Sequence, residues 1–104
     1  MSVAYIIEFR VKSEERQRFL DLLAGVIQSM QVETAYVCAT LHVDPADPRR
    51  FLLHEIWRDH DDVINTQLHR PYRREWHAAL PKLLMEDRRI TIWTPLALGS
   101  MELP

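Results

Sequence analysis

The chain has few of the residues that several common kinds of function require. Its 104 residues include one cysteine, Cys38, so no internal disulfide can form, and the expected setting is a reducing, cytoplasmic one. Two glycines, Gly25 and Gly99, cannot build a glycine-rich phosphate loop. Lysine is nearly absent, with only Lys12 and Lys82, and the formal net charge of −2 gives no general attraction to nucleic acid or to an anionic membrane. No apolar run approaches the ~20 residues that a membrane helix needs. The apolar start at Val3–Ile7 meets Glu8 and Arg10 at once, which is not how a signal peptide reads. His42, His54, His60, His69 and His77 stand at no metal-binding spacing, so no metal site is expected. Ser13 and Ser29 lie on or beside the first helical stretch with no nucleophile elbow around them.

What is present is a regular alternation of strand and helix patterns. Val3 to Val11 alternates cleanly, with Val3, Tyr5, Ile7, Phe9 and Val11 facing one way and Ala4, Ile6, Glu8 and Arg10 the other. Ser13 is placed to cap a helix whose first turn holds Glu14 and Glu15. Phe19, Leu22, Leu23, Val26, Ile27 and Met30 give that helix one apolar stripe ending near Gln31. Thr34 to Val43 reads as a second strand, and the Asp44–Pro48 stretch with its two prolines as a turn. A third strand follows to Trp57. Asp59 or Asp61 caps a short helix through Leu68, and Pro71 opens another. In that last helix Tyr72, Trp76, Leu80, Leu83 and Leu84 share a stripe, which Pro81 should kink or restart. Arg88 to Thr94 is the final strand.

The order β-α-β-β-α-β is the ferredoxin-like arrangement, an α+β fold with one antiparallel sheet. Residues 1–95 form a single domain, and residues 96–104 read as a C-terminal arm. Pairing Val43 with Phe51 across the turn collects Val37, Ala39, Leu41, Leu53, Glu55 and Trp57 on the face of Tyr5, Ile7 and Phe9, which should meet the helices. The opposite face carries Ile6, Glu8, Tyr36, Cys38, Thr40, His42, Leu52, His54 and Ile56. That is too apolar to lie in water as one patch, so a second copy of the chain is expected to cover it. RNA-recognition domains share this topology, but here the third strand has no glycine and bears an acid, which argues against RNA.

Glu55 is the leading candidate for chemistry. It sits on the apolar sheet face between Leu53 and Trp57, where desolvation raises a carboxyl pKa and suits it to act as a general base. The plain alternative is a hydrogen-bonded or arginine-paired acid that only fixes the fold. Trp57, Trp76, Tyr72 and Tyr5 are placed to wall a cavity for a flat aromatic ligand between the sheet and the last helix. The same aromatics at these spacings equally describe plain core.

The stretch FLLHEIWRD from Phe51 to Asp59, followed by LHRPY from Leu68 to Tyr72, resembles the antibiotic biosynthesis monooxygenase family of dimeric α/β barrels. The resemblance implies a homodimer and a cofactor-independent monooxygenase acting on a small aromatic or quinol-type substrate. Glu55 would then be proton acceptor, His77 or Gln67 an orienting group, and Trp57, Trp76, Tyr72 and Tyr5 the walls. Many members carry His where this chain has Gln67, and Gln cannot take a proton at neutral pH. Three other readings stay open: an isomerase-type enzyme on a small carbonyl compound, a non-catalytic ligand-binding dimer, and a heme-degrading relative. In the last, His77 would hold iron, Trp57 would press on the porphyrin, and Arg70, Arg73 and Arg74 would hold propionates. The strand position such enzymes keep polar falls on Ile7.

Overall fold

The computed structural model describes residues 1–96, so all but the first residue of the expected C-terminal arm lies outside the described residues. Strand β1 (Val3–Arg10) leads through a tight turn at Ser13–Glu15 into helix α1 (Arg16–Met30). Strands β2 (Tyr36–Asp44) and β3 (Asp47–Trp57) form a hairpin. Helix α2 (His60–Asn65), turns at Gln67–His69 and Pro71–Arg73, helix α3 (Arg74–Leu83) and strand β4 (Arg89–Trp93) complete the chain. The strands lie in the order β2-β3-β1-β4 with every pairing antiparallel, the ferredoxin-like arrangement.

Local chemistry explains most boundaries, and corrects some expectations. Ser13 does not cap α1. The chain enters through a 3₁₀ turn that starts after Lys12, and no side chain caps either step. Asp59 does cap α2, its carboxylate accepting from the Asp61 backbone N–H at 3.0 Å. That helix stops at Asn65, three residues short of Leu68, and the chain tightens into the Gln67–His69 turn. Helix α3 runs through Pro81 to Leu83 without restarting. The cost is the backbone bond that an N–H at position 81 would have made to the His77 carbonyl. The β2–β3 turn is only Pro45-Ala46, with Pro48 already in the strand. Asp44 accepts from the Ala46 N–H at 2.8 Å and Asp47 from the Arg49 N–H at 2.9 Å.

Val43 pairs with Phe51, as alternation requires, and the register holds back to Cys38 opposite Ile56. There a bulge intervenes, and Tyr36 rather than Val37 faces Trp57. Tyr36 therefore leaves the outer face to which strict alternation assigns it. Its ring packs edge-on to Trp57 with centroids 5.7 Å apart, on the helix side of the sheet.

The core lies between that sheet face and the three helices. Val3, Tyr5, Ile7, Phe9, Phe51, Leu53 and Trp57 meet Phe19, Leu23, Val26 and Met30 of α1, Val63 of α2, and Trp76, Ala79, Leu80 and Leu83 of α3. Phe19 is its aromatic centre, with Phe9, Phe51 and Trp76 at centroid distances of 5.1, 5.0 and 5.5 Å. Among the described residues, no helix is long and apolar enough to cross a membrane.

Candidate functional site

Between the sheet and the helices, alongside β4, lies a cavity of about 260 Å³. Its walls are mostly apolar: Ile7, Leu23, Val26, Met30, Leu53 and Trp76 are typical. Ile90 and Ile92, both exposed, stand beside it on β4. Five polar side chains join them: Tyr5, Glu55, Arg73, His77 and Arg88.

Glu55 projects from β3 and is 6% exposed. One oxygen accepts the indole N–H of Trp57 at 2.8 Å. Among the described residues it has no cation within ion-pair distance, although Arg73 and Arg88 are near enough for their charge to act on it. Burial is the larger effect, and it pushes the Glu55 carboxyl above the usual carboxylate range. The Trp57 hydrogen bond and the two guanidiniums pull the other way.

Arg73 is as buried as Glu55, and its Nε has no hydrogen-bond partner. Its guanidinium carbon lies 5.9 Å from the Trp57 ring centre and 5.7 Å from that of Tyr72, which eases its burial through the rings' negative faces. His77, one helical turn further along α3, is pushed below the usual histidine range by burial and by Arg88 and Arg73, so it is neutral at pH 7. Arg88 enters from the segment before β4. On the far wall, Tyr5 Oη and His60 Nδ1 share a hydrogen bond of 2.6 Å. Burial first, then the charges of Glu55 and Asp59, push the Tyr5 hydroxyl up to about 12.

Of the residues singled out from sequence, the cavity therefore brings together Glu55, His77, Tyr5 and Trp76. Trp57, Gln67 and Tyr72 do not line it. Trp57 is fully enclosed and acts on the cavity only by holding Glu55 and backing Arg73. Gln67 and Tyr72 belong to a separate polar cluster around Glu33, in the loop after α1. Glu33 accepts from Gln67 Nε2 at 3.3 Å, Tyr72 Oη at 3.3 Å and Arg70 Nη2 at 3.1 Å, while Arg70 Nε lies 3.0 Å from its other oxygen. Gln67 Nε2 also donates to Asp62 at 3.1 Å.

Two cavity residues carry weight that the sequence reading gave them only in passing or not at all. Arg73 precedes Trp76 by three residues and Leu80 by seven, so the buried stripe of α3 extends back to it. Arg88 left no comparable signal, since an arginine opening a strand is ordinary.

The sequence matches the model of the antibiotic biosynthesis monooxygenase family over residues 2–79. The chain belongs to that family. Solved structures with the same fold include Rv0793 from Mycobacterium tuberculosis, at 21% identity and a TM-score of 0.85, covering 96% of this chain and 100% of that one. PA3566 from Pseudomonas aeruginosa matches at 19% identity and a TM-score of 0.81, covering 92% and 95%. SnoaB, a cofactor-independent oxygenase from Streptomyces nogalater, matches at 18% identity and a TM-score of 0.81, covering 96% and 98%. At such identities these likenesses speak for the fold. No functionally curated protein matches the sequence significantly.

The site does not suit heme. Trp57 has no surface in the cavity, Arg70 is tied to Glu33, and the strand wall at Ile7 is apolar. Among the described residues no group of histidine, cysteine or acidic side chains is placed to hold a metal ion.

Proposed function

We propose that this chain is a cofactor-independent monooxygenase of a small aromatic or quinol-type substrate. The observation that carries the reading is the largely apolar cavity with one buried carboxyl group, Glu55, within the field of two guanidiniums, in a member of a monooxygenase family. The oxygenase from S. nogalater, described as cofactor-independent, supports the absence of a prosthetic group.

The chemistry asks little of the protein. Glu55 takes the proton of a ring hydroxyl, for which a carboxyl group with a raised pKa is a better match than a free glutamate. The ring carbon of the resulting anion adds dioxygen to form a peroxide, which accepts a proton and loses water to leave a carbonyl. One oxygen atom stays on the ring and the other leaves as water. The ring supplies all the electrons, so no outside reductant enters. Arg73 and Arg88 stabilise negative charge on the hydroxyl oxygen and the peroxide. Neutral His77 is a hydrogen-bond partner, Trp76 and Tyr5 bound the ring, and the apolar walls exclude water. Trp57 positions Glu55 and Arg73 and does not touch the substrate. Gln67 and Tyr72 hold the loop after α1 to the α2–α3 connection and take no part in the reaction.

The test is oxygen uptake by the purified protein with a panel of quinols and phenols, with no added cofactor. Uptake matched one-to-one by quinone formation is the expected result, unaffected by chelators. Turnover of a carbonyl compound without oxygen uptake would replace this reading with an isomerase. No turnover of either kind, with ligand binding intact, would leave a binding protein.

A further inference from the structure

Three of the polar groups that line the cavity can exchange a proton at ordinary pH: Glu55, His77 and Tyr5. The guanidiniums of Arg73 and Arg88 keep theirs. Glu55 is bonded to the Trp57 indole, a donor that does not ionise and has no exposed surface, so nothing passes that way. His77 has no side-chain hydrogen bond among the described residues. Tyr5 differs from both. Its hydroxyl lies 2.6 Å from His60 Nδ1, short for oxygen and nitrogen, which are usually about 2.9 Å apart. Tyr5 lines the cavity and His60 does not. His60 is half-buried at the first residue of α2, between exposed Asp59 and Asp61. An imidazole takes a proton at one nitrogen while giving one up at the other, and a hydroxyl does the same at its oxygen. The pair therefore joins the cavity to the outside of the fold through groups that can pass a proton.

Tyr5 also stands close to Glu55. The two are direct partners across β1 and β3, which sets Cβ atoms about 5 Å apart. In the reaction proposed above, the hydroxyl that loses its proton and the carbon that adds dioxygen are different positions of one ring. A carboxyl group fixed by Trp57 serves one position, and a second group beside it is needed for the other. We infer that Tyr5 and His60 form the proton path of this site: Tyr5 gives a proton to the peroxide, and His60, acting through Tyr5, replaces it from water. The Tyr5 O–H bond breaks as the peroxide O–H bond forms. His60 passes its Nδ1 proton to the Tyr5 oxygen and gains one from water at Nε2. The proton that Glu55 took from the ring goes to water as the product leaves. One proton enters, one leaves, and no electron moves along the path. The inference rests on the oxygenase reading and adds to it a residue, His60, that the reading does not use. Burial, with the charges of Glu55 and Asp59, keeps Tyr5 protonated up to about 12, so its proton is present at any physiological pH.

His60→Gln separates conduction from structure, because Gln keeps an acceptor for the Tyr5 hydroxyl but cannot move a proton at neutral pH. The first measurement needs no turnover: exchange of the Tyr5 hydroxyl proton with water, followed by NMR in the ligand-free protein. Exchange at least tenfold faster in the parent than in His60→Gln is expected, and equal rates overturn the path. The second is oxygen uptake with the best quinol of the panel. His60→Gln should lower kcat at least tenfold with KM within twofold. Tyr5→Phe, which keeps the ring, should lower kcat as much, and the double variant should lose no more than either single one. Turnover retained by Tyr5→Phe or His60→Gln overturns the inference, and so do losses that add. If His60→Gln does not fold, Tyr5→Phe alone decides. A parent that takes up no oxygen but keeps the exchange contrast would sink the oxygenase and keep the path. Oxygen uptake with equal exchange would do the reverse.

Discussion

Glu55 carries two opposing demands, and its neighbours show which one dominates. A carboxylate among apolar side chains is disfavoured by desolvation, and the single Trp57 hydrogen bond with two nearby guanidiniums does not fully offset this. With the folded-state pKa raised, the folded protein holds a proton at pH values where the unfolded chain has lost it. Stability therefore falls as pH rises above the ordinary glutamate value, and levels off once the folded pKa is passed. Glu55→Gln keeps an acceptor for Trp57 and removes the ionisation. Urea denaturation across pH 4 to 8 should show the variant gaining on the parent as pH rises, while oxygen uptake drops by about 10²–10⁴-fold. A variant that loses stability at high pH and keeps full turnover would take Glu55 out of the mechanism. Glu55 was legible in the sequence because an acid among alternating apolar residues stands out. Trp57 was legible as a buried residue of the helix-facing side but not as one that stops short of the cavity, since alternation gives a face and not whether a side chain reaches a void. Glu33 escaped notice because a glutamate after a helix looks solvated until the fold brings Gln67, Arg70 and Tyr72 around it.

The same contrast governs the elements. Ser13 and Asp59 are both good capping residues by type, yet only Asp59 accepts a backbone N–H. Asp59→Ala should cost about 1 kcal/mol and Ser13→Ala only a few tenths, read from thermal or urea unfolding. The hairpin register could be read from Val43 and Phe51 because a buried face forbids a one-residue slip. The bulge near Val37 could not, since an extra residue in one strand leaves no mark on either neighbouring run. It matters, because it turns Tyr36 inward onto Trp57 and so helps enclose the residue that holds Glu55. The connection between α2 and α3 has little apolar packing of its own, with Leu68, His69 and Pro71 exposed. Its ties to the rest of the fold are Glu33 and the buried Arg73 against Trp57. Glu33→Ala would strand Arg70 and Gln67 and should cost about 2–3 kcal/mol, with Glu33→Gln milder. If instead the alanine variant unfolds at the parental urea concentration, the cluster is a surface ornament and the α2–α3 segment is held by Val63, Arg73 and Trp76 alone.

At the scale of the whole molecule and among the described residues, the helices cover one side of the sheet. The helices take the face of Phe9, Leu53 and Trp57, while Ile6, Cys38, Leu52 and His54 on the other side remain half-buried. At the edge of the sheet β4 leaves Ile90, Ile92 and Trp93 46%, 57% and 56% exposed. The dimer expected from this pattern is common in the family to which the chain belongs, and a second copy laid on the outer face would bury that face, while Ile90 and Ile92, paired with Ile7 and Tyr5, lie on the helix side. At about 25 cal/mol per Å², covering several hundred Å² of apolar surface contributes several kcal/mol toward association. The choice of probe follows from burial in the single chain. Ile56 is only 5% exposed there, so an arginine at that position would damage the fold as well as any interface. Leu52, one residue from the core-facing Phe51 and Leu53 but itself half-buried on the outer face, is the cleaner site. Sedimentation should give twice the 12.3 kDa chain mass for the parent and the single mass for Leu52→Arg, with helical content unchanged in both. A parent protein that sediments only as a single chain at micromolar concentration would end the case for the dimer, and the exposed strand would then need another partner.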